Sequence, residues 1–453
     1  MTRLFGTDGV RGLANKDVTA ELALKLSVAV AHELGSSGTS YGGRRASAVV
    51  GRDTRASGEF LSAAVMAGFA SAGVDVLNAG VLPTPAIAYL TARMAAEMGA
   101  VLSASHNAMP DNGIKFFAEG GHKLADDIED AITQRLDADW ERPTGVGVGR
   151  IRPFPQGADF YMEHLLDSVP GRLDGLHVVI DAANGAASVV GPEVFHRAGA
   201  TVDTIGGDPD GLNINDGYGS THLARLQRAV VDRGADMGFA FDGDADRCLA
   251  VDADGHQVDG DQIMAILAID MRERGTLANN TLVATVMSNL GLLQAMEREG
   301  ITVVQTAVGD RYVLEEMRAH GHSLGGEQSG HVIMLDHGTT GDGVLTALAL
   351  ARSVRASERP LADLAGVMHR LPQVLVNVKD VDKDRVDDDE TVQAEVATVS
   401  SELDGSGRVL LRKSGTEQLV RVMVEADTAE RAQQYADRLA GVVQQRLATG
   451  RVV

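Results

Sequence analysis

Asp242, Asp244 and Asp246 stand at alternate positions in FAFDGDADRCLAVD, the stretch from Phe239 to Asp252, between two apolar runs. Carboxylates crowded on a tight, Gly-bearing turn repel one another unless a cation sits among them, and hard oxygen donors of this kind suit Mg²⁺. An EF-hand loop is excluded, because its twelfth position counted from Asp242 is Ala253 and not a bidentate Glu. The plain alternative is a solvated acidic turn. Arg247 beside the triad argues against it, since an arginine there can reach a phosphate shared with the metal.

Three further polar turns are bounded by apolar residues. VLSASHNAMPDNGIKFF (Val101 to Phe117) delivers Ser103, Ser105, His106 and Asn107 into a turn and returns with Lys115. A serine with an adjacent His and a nearby Lys can be a nucleophile, an acyl-transfer group or a phosphate carrier. Ser105 lies in no GxSxG elbow, and the metal loop elsewhere in the chain favours phosphoryl chemistry. LGGEQSGHVI (Leu324 to Ile333) offers Glu327 and Ser329 to sugar hydroxyls, Gln328 to an amine or hydroxyl, and His331 as a group that exchanges a proton near neutral pH. LRKSGTEQLVR (Leu411 to Arg421) combines Arg412, Ser414, Gly415, Thr416 and Arg421 in the pattern of an anion nest. In a chain of net charge −22, two arginines around a small-residue turn suit a dianionic phosphate.

Something must hold these turns in place, and the pattern of the chain indicates what. Short β-branched runs alternate with Ala- and Leu-rich helical patterns, the signature of βαβ units around a mainly parallel sheet. Ser47 to Gly58, His177 to Ser188 and Thr281 to Leu292 echo one another, each a buried strand leaving through a polar turn into a helix. Their spacing is too wide for a solenoid and suits three successive α/β domains. The Gly- and Pro-rich stretch from Glu141 to Gly157 marks one boundary, Val258 a second, and alternating QVLVNVKDV with acidic residues Asp387 to Glu390 opens a final α+β segment. The expected domains are therefore 1–156, 157–258, 259–370 and 371–453.

Composition narrows the function classes. With 41 Lys plus Arg against 63 Asp plus Glu, the chain repels nucleic acid and anionic membrane, and 4% aromatic residues leave few platforms for stacking bases. One cysteine, Cys248, forms neither an internal disulfide nor a multi-Cys metal site. Arg3, Asp8 and Arg11 interrupt any secretory core in the first twenty residues, and no apolar run reaches the length of a membrane span. The expectation is a cytoplasmic protein with no nucleic-acid or membrane partner.

The turns also carry a resemblance. With FGTDGVRG near the start, then SASHN, DGDADR, GEQSGH and SGTE in that order, the chain resembles the α-D-phosphohexomutase superfamily over essentially its whole length. It is most similar to the bacterial branch acting on glucosamine phosphate, through FGTDGVRG, DNGIKFF, AVGDRYV (Ala307 to Val313) and Gln328. The resemblance implies a heart-shaped fold of three related α/β domains and a smaller C-terminal α+β domain, each supplying one loop to a central cleft. It implies that Ser105 carries a phosphoryl group and joins Asp242, Asp244 and Asp246 around one Mg²⁺. Glu327, Gln328 and Ser329 would bind the sugar, and Arg412, Ser414, Gly415, Thr416 and Arg421 the phosphate that is not reacting. Lys115, Arg247 and His331 would act at the transferring group, Lys115 and His331 as proton-transfer residues, with Arg11, Arg52 and His106 as neighbours of the phosphoserine. The implied reaction is the isomerisation of glucosamine 6-phosphate to glucosamine 1-phosphate through the 1,6-bisphosphate, by a monomer or homodimer, supplying UDP-N-acetylglucosamine and cell-wall precursors. Two departures from the family pattern stand out: Ala108 where Pro is usual after SHN, and KSGTEQ where PSGTEP is usual.

Overall fold

The computed structural model describes residues 4–6, 8–35, 45–414 and 418–449. By contact the chain divides into two compact units, Met1–Met287 with Ile301–Val367, and Ser288–Gly300 with Met368–Val453.

The larger unit contains three sheets built on one plan. At the centre of each is the strand that echoes the other two: Ser47–Arg52, His177–Asp181 and Thr281–Thr285. Parallel to it on one side runs the next strand, Asp75–Val81, Thr201–Ile205 or Thr302–Thr306. Parallel on its other side runs Met98–Leu102, Met237–Phe241 or Leu324–Gly326. That third strand then turns back into an antiparallel partner, Asp111–Ala118, Cys248–Asp252 or Val332–Met334. Covered on both faces, the central strands must be apolar throughout, and Val49, Val50, Val178, Val179, Ile180, Leu282 and Val283 are all fully buried. Short additional strands bring the first sheet to seven and the second to five, while the third consists of these four strands alone.

Helices cover these sheets with their apolar faces. On the first sheet Ala20–Gly35 and Ser57–Ser71 bring Leu26, Leu61, Val65 and Phe69 out of water completely, at about 2 kcal/mol for each large side chain. The two helices lie close because residue 68 is glycine: a Cβ there would stand 2.7 Å from the Leu24 carbonyl oxygen. Among the described residues no helix is long and apolar enough to cross a membrane.

The smaller unit is an antiparallel sheet ordered Gln373–Lys379, Leu419–Glu425, Arg408–Lys413, with helices Glu390–Leu403 and Ala429–Leu447. Thr428 caps the last helix by accepting from the Arg431 amide. Helix Leu290–Arg298, which ends the third echo in sequence, belongs by contact to this unit. Its anchor is the fully buried Glu425 carboxylate, which accepts from Leu290 N at 2.9 Å, Asn289 Nδ2 at 3.2 Å and Arg408 Nε at 2.7 Å.

Candidate active site

In all three α/β sheets the candidate turn singled out in the sequence is the link between the third strand and its antiparallel partner. Met98–Leu102 and Met237–Phe241 are buried at every position, so each strand emerges from the core at a defined point and its polar turn begins there.

Ser105 follows the first of these strands and is only 1% exposed, with φ +53°, a left-handed conformation that a non-glycine residue adopts only under constraint. The constraint is a buried clamp. Ser105 N donates to Ser103 Oγ at 2.9 Å, and Ser103 Oγ donates to Asp53 at 2.6 Å. Asp53 in turn accepts from Arg55 Nε at 2.9 Å. Arg55, fully buried, spreads its remaining nitrogens over the turn, donating to the carbonyls of Ser105 (3.1 Å), Asn107 (2.8 Å) and Ala108 (2.6 Å). Asn215 Nδ2 donates to the Ser105 and Asn107 carbonyls from another side, at 2.9 and 3.0 Å. The departure at residue 108 loses none of these bonds, because the turn uses the Ala108 carbonyl and not its side chain.

The metal loop meets the serine directly. Ser105 Oγ donates to Asp242 Oδ2 at 2.5 Å and lies 3.4 Å from His106 Nδ1. Asp242, Asp244 and Asp246 are all buried, with ligand oxygens within 4.8 Å of one another. Burial, then the charges of Asp246 and Asp244, push the Asp242 carboxyl well above its ordinary pKa. Asp246 is also raised by burial, but Lys115, His331 and Arg247 outweigh this and hold it well below. Asp244 Oδ1 and Asp246 Oδ1 are buried without a hydrogen-bond partner. Unsatisfied buried carboxylate oxygens converging on one point are the donor set a hard divalent cation requires, so these residues fit such an ion.

Lys115 Nζ lies among carboxylates, 2.9 Å from Asp244, 2.7 Å from Asp8 and 3.5 Å from Asp246. Burial alone would lower its pKa, yet Asp244 and Asp8 reverse that and keep it an ammonium. Asp8 also pairs with Arg11 at 2.5 Å and with Lys123 at 3.0 Å, and Lys123 is bonded in addition to Asp310. Asp310 lies 3.5 Å from His331 Nε2, and His331 Nδ1 faces Asp246 at 3.7 Å. Gly341 N donates to His331 Nε2 at 3.1 Å. Burial lowers the His331 pKa, and Asp246 and Asp310 more than offset it, so it lies above its ordinary value. His106 is shifted the other way, by burial and by the nearby Arg247 and Arg11. Arg247, 3.9 Å from Asp246, keeps a quarter of its side chain exposed.

The Glu327 to His331 turn is tied to the aspartate turn through Cys248 N, which donates to the Gly330 carbonyl at 3.0 Å. Glu327 and Gln328 are half-buried and Ser329 is exposed. One Glu327 oxygen accepts from Gly309 N at 3.1 Å.

In the smaller unit Arg412 and Arg421 are direct cross-strand partners. Burial, then the Arg421 charge, lowers the Arg412 pKa. Like charges at one register destabilise a sheet unless an anion offsets them. Ser414 is buried, its amide donating to the Leu419 carbonyl at 3.0 Å and its own carbonyl accepting from Lys383 at 2.6 Å. Gly415 and Thr416 lie outside the described residues.

Thus Ser105, His106, Lys115, Asp242, Asp244, Asp246, Arg247 and His331 come together, with Arg11 joined through Asp8. Arg52 does not make a described contact with Ser105: it donates to the Asp53 carbonyl at 3.2 Å and faces Glu59 at 3.8 Å. Sequence reasoning passed over Arg55, Asp53, Asn215, Asp8, Lys123, Asp310 and Thr84, whose hydroxyl donates to Asp244 at 2.6 Å.

Comparison with known families matches the chain in four consecutive parts. Phosphoglucomutase/phosphomannomutase alpha/beta/alpha domains I, II and III match residues 2–142, 159–255 and 259–371, and the C-terminal domain matches 375–442. The chain belongs to the phosphoglucomutase/phosphomannomutase family. A family relative in Streptomyces griseus subsp. griseus, named phosphoglucosamine mutase, is 65% identical over 452 residues, covering 99% of this chain and 100% of the relative. A phosphoglucomutase/phosphomannomutase family protein from Burkholderia thailandensis shares the fold, with TM-score 0.82, 24% identity and 98% of both chains covered. Aspergillus fumigatus N-acetylphosphoglucosamine mutase, solved with GlcNAc-6P and magnesium, shares it at TM-score 0.68 and 18% identity, over 98% of this chain and 95% of that one.

Proposed function

We propose that this chain interconverts glucosamine 6-phosphate and glucosamine 1-phosphate in the cytoplasm, as a monomer or homodimer, through a phosphoserine at Ser105 and glucosamine 1,6-bisphosphate. The observation that carries the reading is the seat of Ser105 Oγ: buried, in a constrained conformation, and bonded to the first of three converging aspartates. Relatives named phosphoglucosamine mutase, at 60–65% identity over nearly the whole chain, support the substrate.

In the first half-reaction the sugar O1 forms a bond to phosphorus as the bond from phosphorus to Ser105 Oγ breaks. The O1 proton passes to a base and the serine oxygen regains a proton. After the bisphosphate turns round, Ser105 Oγ bonds to phosphorus as its proton passes to a base, the bond from phosphorus to O6 breaks, and O6 is protonated. Lys115 and His331 are the groups assigned to these proton movements, and both lie against the aspartate cluster. Arg247 is assigned to the spread negative charge of the transferring group. Asp242, Asp244, Asp246 and the phosphoserine would hold Mg²⁺, which would supply positive charge to the phosphoryl oxygens. Glu327, Gln328 and Ser329 orient the sugar, while Arg412, Ser414, Gly415, Thr416 and Arg421 bind the idle phosphate. Burial of Ser105 among charged groups keeps water from intercepting the phosphoserine, which favours mutase over phosphatase chemistry.

The test is a mutase assay on glucosamine, glucose and mannose 6-phosphates, with phosphate release followed in parallel and the intact mass of the same sample measured. Isomer formation fastest on glucosamine 6-phosphate, with a protein mass one phosphoryl group above the chain, is expected. Faster turnover of glucose or mannose phosphate would overturn the substrate, and phosphate release without isomer would overturn the reaction.

A further inference from the structure

Gln328 is held at two points by the start of the helix Gly260–Glu273. Its main-chain carbonyl accepts from Gly260 N at 3.1 Å, and its side-chain Nε2 donates to Asp261 Oδ2 at 3.1 Å. The approach is close enough to need a glycine, since a Cβ on residue 260 would stand 2.7 Å from both the Gln328 carbonyl oxygen and Gly330 N. The mount is also stiff. Asp259 and Gln262 close a reciprocal capping box around the helix start, and the Asp261 side chain is fully buried.

This arrangement decides which end of the Gln328 amide faces outward. A carboxylate only accepts hydrogen bonds, so the amide must turn its NH₂ to Asp261 and its carbonyl away. Among the described residues no donor reaches Gln328 Oε1, and the atom is not one of the buried unsatisfied ones. A fixed acceptor discriminates at the 2-position of a hexose. An ammonium group there only donates, whereas a hydroxyl donates and accepts and would be served equally by an amide free to flip. The negative charge behind the amide also polarises its carbonyl in the direction that favours a cation.

We propose that Asp261 is a specificity-positioning residue, which locks the Gln328 carbonyl toward the sugar's 2-substituent and so selects a 2-ammonium over a 2-hydroxyl. This rests on the reading of the Glu327 to His331 turn as the sugar-binding turn. Asp261 itself touches no substrate in this scheme; it acts through Gln328.

The experiment compares kcat/KM for glucosamine 6-phosphate and glucose 6-phosphate in the full chain, Asp261→Asn, Gln328→Met and the double variant. General damage to the fold lowers both substrates together, so the ratio isolates selection. Asp261→Asn, which lets the amide face either way, is expected to reduce the glucosamine preference about tenfold, with most of the loss on glucosamine 6-phosphate. Gln328→Met should reduce it at least as far, and the double variant no further than Gln328→Met alone. A folded Asp261→Asn with the wild-type ratio overturns the inference while leaving the proposed function intact. A wild type without preference for glucosamine 6-phosphate overturns the proposed function itself. If Asp261→Asn does not fold, an unchanged ratio in Gln328→Met overturns the inference by itself.

Discussion

The serine turn and the strand pair carrying Arg412 and Arg421 are both candidate phosphate sites, yet they are built in different ways. Around Ser105 the backbone carbonyls of residues 105, 107 and 108 are each taken by a buried donor from Arg55 or Asn215, so the turn has one conformation available. Arg412 and Arg421 instead face each other as like charges across a pair of strands, Arg412 being half-buried. Geometry is the scarce quantity at a reacting atom, where a displacement of about 1 Å costs on the order of a hundredfold in rate. Charge is the scarce quantity at a phosphate that merely has to be held. The two regions should therefore fail in different kinetic parameters.

The largest effect is expected from Ser105→Ala, which removes the carrier oxygen while leaving its clamp. Mutase activity should fall by roughly a thousandfold or more, and turnover near the wild-type rate would refute the phosphoserine. Chelation comes next: the unsatisfied oxygens of Asp244 and Asp246 require a cation, so EDTA should abolish activity and Mg²⁺ restore it. Full activity in thoroughly chelated buffer would exclude the metal assignment.

Arg55 then tests the geometric side of the comparison. Arg55→Lys keeps a charge for Asp53 but cannot reach three carbonyls with one fork, so kcat should drop about tenfold with KM little changed. Arg55→Leu strands the buried Asp53 carboxylate and should also destabilise the protein by about 3–5 kcal/mol, measurable by denaturant unfolding. A rise in KM alone in Arg55→Lys would put the clamp in binding and collapse the distinction. Arg421 tests the other side and should act through KM instead of kcat: Arg421→Ala raises KM about tenfold, and Arg421→Lys recovers part of it, in steady-state assays. Unchanged kinetics in Arg421→Ala would mean the hairpin holds no phosphate.

The same contrast explains what could be seen before folding. Dense polar turns such as DGDADR and SASHN stand out between apolar strands because their residue types are implausible in a core, so the aspartate turn and the serine turn were legible as candidate sites. The repeated plan was legible too, since a strand covered on both faces has to be an unbroken apolar run. The clamp was not. In GRDTRASG either arginine could turn inward, and the choice falls to sheet pairing: Arg52 ends a strand held between Leu102 and Val81, while Arg55 lies past it in the turn and reaches the serine. Likewise Asp8 and Asp310 sit inside quoted motifs, but their bonds to Lys123, 115 and 187 residues away in sequence, exist only once the sheets are packed. The assignment of helix Leu290–Arg298 to the smaller unit depends on Glu425, which no local pattern links to it.

The shared plan of the three α/β sheets has a consequence for how such a protein can change. Each frame uses the same link, between its third and fourth strands, which in one carries Ser105, in another the three aspartates and in the third Glu327, Gln328 and Ser329. Duplicated copies of one ancestral module could thus have drifted apart in a handful of turn residues while their interiors stayed under common constraint. On the proposed assignment, a lineage seeking a new hexose would then have only the third module's turn and its mount to rewrite, with phosphoryl transfer inherited unaltered.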